Sequence, residues 1–219
     1  MPRILYSGTK NASSWAFRAW LALREAQVDF EERVVDIRRP QRFENLNRIG
    51  EFSPPAAVPV LLDDETVIFD SLAIMEYAND LADGVLLPRC AKGRARARSF
   101  LAWQHAGLSG LCPRLSFESS FYSDKRAMTF DERSQAARVY DALETQLSTH
   151  GGPYLFGDLS LADLALVPTV LRLASHTSSL SRWPGVDAWS HILLDRPAVK
   201  EWMAEARQEP AVVLADYMP

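Results

Sequence analysis

Strand-forming stretches are confined to the first third of this chain. Residues 3–7, 28–35, 60–62 and 67–69 read as short strands. Between the first two, from Ser13 to about Ala26, Phe17, Trp20, Leu21 and Leu23 recur as a helical apolar stripe bordered by Arg18, Arg24 and Glu25. Residues 40–49 predict a short polar helix or turn, and Asp63-Asp64-Glu65 a hairpin turn. Ser71 to Leu81 predicts a helix with Leu72, Ile74, Met75 and Tyr77 on its apolar side. Beyond residue 84 the strand signals nearly vanish, and helical patterns follow over about 92–122, 131–149, 160–176 and 196–208.

That order predicts an α+β first domain, βαβαββα and thioredoxin-like, over residues 1–82, and an all-α second domain over 93–219. With 219 residues and 47% hydrophobic composition the chain can bury a substantial core. The net charge of −4 disfavours nucleic acid and anionic membrane as partners. No apolar run approaches the ~18 residues a bilayer span needs. The start, Met1 to Tyr6, reads as no secretory leader, and two cysteines, Cys90 and Cys112, give no disulfide framework. The expected compartment is therefore the cytoplasm. His150, His176 and His191 lack metal-ligand spacing, so no metal is expected. Arg94 and Arg98 share a helix face from which Arg96 points away, a solvated face or subunit contact rather than a nucleic-acid site.

Pro59 sits directly against Val60-Leu61-Leu62. Proline cannot donate to a sheet ladder. A cis Val58–Pro59 bond at the mouth of such a domain would aim the Val58 main-chain N–H and C=O outward, where an extended peptide can pair with them. Asp70-Ser71 then opens a helix. Its free N–H groups favour a carboxylate, Ser71 can donate to it, and Asp70 offers the opposite sign for an ammonium. Glutathione, with a peptide-like middle and an amino-acid zwitterion at one end, fits both. On the residues alone, Pro59 serves equally as a strand-edge proline and Asp70-Ser71 as an ordinary helix cap.

The chain resembles the cytosolic glutathione transferases. "AVPVLLDDETVIFDSLAIMEYAND" resembles that family's VP…(E/D/Q)S-x-A-I-x-x-Y block, and "LFGDLSLADLAL" its S-x-A-D capping box, in which Ser160 and Asp163 are structural. "SSWAFRAWLAL" resembles the active-site helix of the serine-type classes, nearest to zeta- and tau-like members and to a bacterial group with "SSWSLRPWLAL". The resemblance implies glutathione as co-substrate, held by Val58, Pro59, Asp70 and Ser71, a small apolar electrophile as second substrate, and a homodimer whose interface uses the helices around 70–77 and 94–98. It places the thiolate-stabilising hydroxyl on Ser13, with Ser14 the runner-up and Tyr6 third. His105 is a candidate wall of the second-substrate pocket and equally a packing histidine; Phe117, Phe121 and Tyr122 are further candidate walls. Cys112, before Pro113, marks a helix kink. Two departures stand out: Trp15 replaces the zeta-class cysteine, and Ala57 replaces the Lys or Gln many relatives carry. The expected function is transfer of the glutathione thiolate to an electrophile. The alternative is a non-catalytic glutathione-fold binding protein. A disulfide reductase would need a cysteine within residues 11–15, and there is none.

Overall fold

The computed structural model describes residues 2–108, 110–214 and 217. Its first half runs β1 (Ile4–Gly8), α1 (Ser14–Glu25), β2 (Glu31–Val35), α2 (Arg42–Gly50), β3 (Val60–Asp63), β4 (Thr66–Phe69) and α3 (Ser71–Leu81). The sheet order is β2-β1-β3-β4. β1 lies parallel to β2, as a helical crossover through α1 allows, and antiparallel to β3, which pairs with β4 across the expected hairpin. Leu5 faces Leu61 across β1 and β3, both fully buried. The second half is helical: α4 (Ala91–Ala102), α5 (Phe130–His150), α6 (Leu161–Ala174), α7 (Pro184–Leu194) and α8 (Pro197–Ala206). The expected fold class is therefore the observed one.

Two expectations about the helices need correction. No single helix spans 92–122. α4 stops at Ala102, one π-helical turn follows over Trp103–Gly107, and after Pro113 a 3₁₀ turn occupies Phe117–Phe121. Gly107, Gly110 and Pro113 are poor helix residues, and proline cannot supply the interior hydrogen bond. α7 was not anticipated. Pro184 takes its first turn, where a missing N–H costs little, and Val186, Trp189 and Leu193 bury its inner face.

α1 is the shared spine, buried from Ala16 to Leu23. Phe17 stacks on Trp202 of α8 with ring centroids 4.7 Å apart. Lys10 pairs with Glu32 at 2.7 Å and lies 3.9 Å from the Trp202 ring, a nearly buried cation held by a carboxylate and an indole face. Arg196, preceding α8, pairs with Glu25 at the end of α1. In the second half, Asp163 is fully buried. It accepts the Ser160 hydroxyl at 2.6 Å and N–H at 2.9 Å, the Leu155 N–H at 3.0 Å and the Trp189 indole N–H at 2.8 Å.

Candidate active site between the two halves

β1 ends at Gly8, where a Cβ would lie 2.8 Å from the Ser13 Cβ and 3.0 Å from a Val58 methyl. Only glycine lets these three segments converge. Ser13 follows as the N-cap of α1, 4% exposed, its hydroxyl oxygen accepting the Ala16 N–H at 3.2 Å. A serine hydroxyl has one donor and two acceptor sites. The cap uses an acceptor, so the O–H remains available beside a helix N-terminus. Ser14, the first residue of α1, is half-buried.

The Val58–Pro59 peptide bond is cis. Among the described residues, no main-chain hydrogen bond reaches the Val58 N–H or C=O. Asp70 caps α3, accepting the Leu72 N–H at 2.7 Å. Its backbone lies at φ 73° and ψ 134°, a region a side-chain-bearing residue seldom occupies. Ser71 is buried in the first turn. The second Asp70 oxygen lies 3.4 Å from His105 Nε2, on the π turn after α4.

Two cavities meet here. The first, about 390 Å³, is lined by Val58, Pro59, Asp70, Ser71, Trp15 and His105; Ala57 also borders it. The second, about 310 Å³, is lined by Ser14, Trp15, His105, Phe117, Arg18 and Arg172, among others. Trp15 and His105 border both, in edge-to-face contact with centroids 4.9 Å apart. A larger cavity of about 730 Å³ lies near Asp80, Arg94 and Asp158 and includes none of the expected site residues. The structure thus gathers Ser14, Val58, Pro59, Asp70, Ser71 and His105 around adjoining spaces, while Ser13, expected as the thiolate-stabilising residue, is buried and lines neither cavity. Phe117 is a wall as expected. Phe121 instead packs on Phe117, and Tyr122 binds the tail, donating to the Val212 carbonyl and accepting the Leu214 N–H, both at 3.0 Å. Tyr6 lines neither cavity and accepts from Arg33 at 3.3 Å.

The sequence reading missed two arginines. Arg18, expected beside the apolar stripe, is 2% exposed and Arg172 is 3% exposed. Burial, with help from Arg172, lowers the Arg18 pKa to about 9, and burial lowers that of Arg172. Turned so that its carbonyl faces Arg18, Gln104 accepts from both terminal nitrogens, and the Arg18 guanidinium lies 4.3 Å from the Trp15 ring. Arg172 donates to the carbonyls of Pro168 at 3.2 Å and Cys112 at 3.0 Å. No carboxylate borders the second cavity among the described residues. The available signal was Arg172 itself, a lone cation within the apolar run of α6.

A four-stranded βαβαββα half, a helical half and paired cavities at their junction define the glutathione transferase fold. Residues 12–81 match the family model "Glutathione S-transferase, N-terminal domain", and residues 95–205 match "Glutathione S-transferase, C-terminal domain". The chain is 32% identical over 200 residues to a probable maleylacetoacetate isomerase of Caenorhabditis elegans, covering 89% of this chain and 90% of that one. A solved glutathione S-transferase-I bound with lactoylglutathione is similar at 25% identity and TM-score 0.75, over 94% of this chain and 100% of that one. An epsilon-class glutathione S-transferase from the housefly Musca domestica superposes with TM-score 0.76 at 24% identity, over 94% of each chain. The chain belongs to the glutathione S-transferase family, a family of enzymes with glutathione as co-substrate. Among the described residues no helix is long and apolar enough to cross a membrane, and no group of three or more His, Cys, Asp or Glu is placed to hold a metal ion.

Proposed function

We propose that this enzyme activates the thiolate of glutathione with Ser13 and delivers it to a small electrophile that has an apolar body and an acidic end. Glutathione lies in the first cavity. Its peptide middle pairs with the open Val58 main chain, and its γ-glutamyl zwitterion meets Asp70 and the N-terminus of α3 at Ser71. A free thiol is only a few per cent ionised at pH 7. The Ser13 O–H and the α1 N-terminus supply the stabilisation that ionises it. The observation that carries this reading is the Ser13 hydroxyl, held in place by its capping bond with its donor unspent. Ser14 is the alternative donor.

The second cavity receives the electrophile. Trp15 and Phe117 suit its apolar body, and Arg18 and Arg172, two buried cations in a cavity that no carboxylate borders among the described residues, suit a carboxylate. Those arginines, with the C. elegans relative's name, favour a second reading in which the thiolate adds to an unsaturated acid reversibly and isomerises it. Residues 1–82 then form the glutathione domain and 93–219 the electrophile domain. The protein acts in the cytoplasm as a homodimer built on α3 and α4, which Arg98 and Glu76 tie together at 2.8 Å. Calorimetry of glutathione binding to wild type and Ser71→Ala, with assays across neutral and acidic electrophiles, tests this. Equal glutathione affinity in both proteins removes the site assignment. Binding without turnover of any electrophile favours a non-catalytic role. Light scattering at micromolar protein tests the dimer.

A further inference from the structure

Residues 209–214 form neither helix nor strand and are exposed, yet buried polar side chains are committed to them. Asn11, fully buried, donates through its amide nitrogen to the carbonyls of Glu209 at 3.0 Å and Pro210 at 3.3 Å. Its amide oxygen accepts from Arg38, whose guanidinium also reaches the Glu209 carboxylate at 3.3 Å. Carbonyls only accept and a guanidinium only donates, so these partners fix the orientation of the amide. Glu118, 5% exposed, accepts the Val212 N–H at 2.9 Å. Burial pushes its pKa up, and that N–H and the nearby Arg38 hold it back. The Tyr122 hydroxyl adds its bonds to Val212 and Leu214. Further along, Tyr217 is buried, its hydroxyl between His176 Nε2 at 2.9 Å and the Arg126 N–H at 3.0 Å. Without this strap the Asn11 amide, the Glu118 carboxylate and the Tyr122 hydroxyl would each lose a partner in a buried place.

Asn11 lies in the loop between β1 and α1, just before Ser13. The Ala12 and Ser13 N–H groups both donate to the Thr9 carbonyl, at 3.0 and 2.9 Å, so this loop is a tight turn that moves as a unit. None of residues 209–214 borders either cavity, nor does Tyr217, so the strap is no lid over the ligands. What it holds is the loop on one side and the 3₁₀ turn of Phe117, a cavity wall, on the other. We infer that the strap positions the β1–α1 loop through Asn11, and so sets how well Ser13 stabilises the glutathione thiolate. Asn11 is a positioning residue, acting through the loop rather than on the ligand. The inference rests on the Ser13 reading, and the two can fail separately.

The test uses the full chain. Tyr122→Phe keeps the ring and removes both hydroxyl bonds to the strap, at a side chain that borders neither cavity. Asn11→Asp keeps the size and turns an oxygen toward the Glu209 and Pro210 carbonyls. Ser13→Ala runs beside them. Amide hydrogen exchange at Ala12 and Ser13 reads the loop. The ultraviolet absorbance of the thiolate in the glutathione complex, titrated against pH, reads the chemistry without an electrophile. In both strap variants the two amides should exchange about tenfold faster. The thiolate midpoint should rise, cutting the ionised fraction at pH 7 by about three- to tenfold. Glutathione affinity at about pH 5, where the thiol stays protonated, should hold. If Asn11→Asp does not fold, Tyr122→Phe still decides. Unchanged exchange in the strap variants, or an unmoved midpoint in them, overturns the inference. Ser13→Ala shows which reading has failed: if it alone shifts the midpoint, the strap is refuted, and if the strap variants shift it and Ser13→Ala does not, the Ser13 reading is refuted instead.

Discussion

His105 Nε2 stands 3.4 Å from an Asp70 carboxylate oxygen, so the π turn ending α4 is tied to the residue that caps α3. The contact joins the helical half to the cavity at the start of α3. A regular helix through this region would rotate His105 elsewhere, because a π turn inserts one extra residue. With Trp15 against its ring, His105 forms the partition between the two cavities.

Asp70→Asn separates the two duties of this carboxylate. Asparagine caps helices about as well as aspartate, so the thermal midpoint should hold steady. The charge offered to the glutathione ammonium is lost, and the dissociation constant should rise about tenfold, the worth of one charge-assisted hydrogen bond. Calorimetry beside a thermal melt reads both quantities. Unchanged affinity would remove Asp70 from the binding site.

Gly8→Ala tests the convergence at the end of β1. The added methyl would meet the Ser13 Cβ at 2.8 Å and Val58 at 3.0 Å, so the segments carrying both must separate. Overpacking of this kind costs about 1–3 kcal/mol. The midpoint should fall by roughly 2–4 °C for each kcal/mol in a chain of this size. Turnover and glutathione affinity should both fall, because Ser13 and Val58 both move while Asp70 and Ser71 do not. Wild-type kcat in the variant would show that Ser13 placement is not critical.

Much of this arrangement was legible in the sequence, for identifiable reasons. Pro59 beside an apolar run, Asp70-Ser71 opening a helix and Ser13 before an amphipathic stripe are local signals, and each sits at the element end it announced. Arg18 was not legible in the same way. Its spacing put it at the border of the stripe with Arg24, but α1 is covered by α3, α6 and α8, so Arg18 is buried while Arg24 stays exposed. The partner that makes Arg18 informative, Arg172, lies far along the chain, and no periodicity links the two. The break after Ala102 was likewise hidden, because Trp103, Leu108 and Leu111 keep an apolar pattern through a segment that glycines and a proline have unwound.

Asp163 should prove the most sensitive single position for stability. Four donors converge on its two oxygens, and burial still pushes its pKa upward. Asparagine would turn an N–H₂ toward two of those donors and leave at least one unpaired. The expected loss is about 2–4 kcal/mol, measured by urea unfolding. Trp189, which donates to this carboxylate, supplies a fluorescence signal. A loss below about 0.5 kcal/mol would mean that the buried cluster relaxes around the amide.

Glu132 sets part of the acid stability. Arg126 binds both its oxygens at 2.7 Å, the Thr129 N–H adds a capping bond at 2.8 Å, and its pKa falls from 4.5 to about 2. A depressed carboxylate stabilises the fold above its unfolded pKa and loses that contribution as pH drops through the folded value. Wild type should therefore exceed Glu132→Gln in midpoint at pH 7, and the gap should close between about pH 4.5 and pH 2. A gap independent of pH would assign the effect to packing instead.

Ser13→Ala bears on the chemistry itself. If the hydroxyl stabilises the thiolate, its removal should raise the apparent pKa of bound glutathione toward that of the free thiol, near 8.5 for an ordinary thiol. Transfer at pH 7 should then fall by roughly ten- to a hundredfold, equivalent to one to two pKa units. Much of the loss should return at high pH, where bulk base forms the thiolate. Glutathione affinity should change little, since the proposed partners Val58, Asp70 and Ser71 are untouched. The variant also loses the cap on α1, at a cost of about 1 kcal/mol. Ser13→Gly separates the two effects, because glycine caps nearly as well and donates nothing. It should keep most of the stability and show the full shift in the pH–rate profile. Ser14→Ala is the rival, since Ser14 borders the second cavity. It should alter the electrophile's KM more than the position of the profile. A profile unmoved in both Ser13 variants and shifted in Ser14→Ala would transfer the thiolate to Ser14, and with it the direction from which the electrophile is attacked.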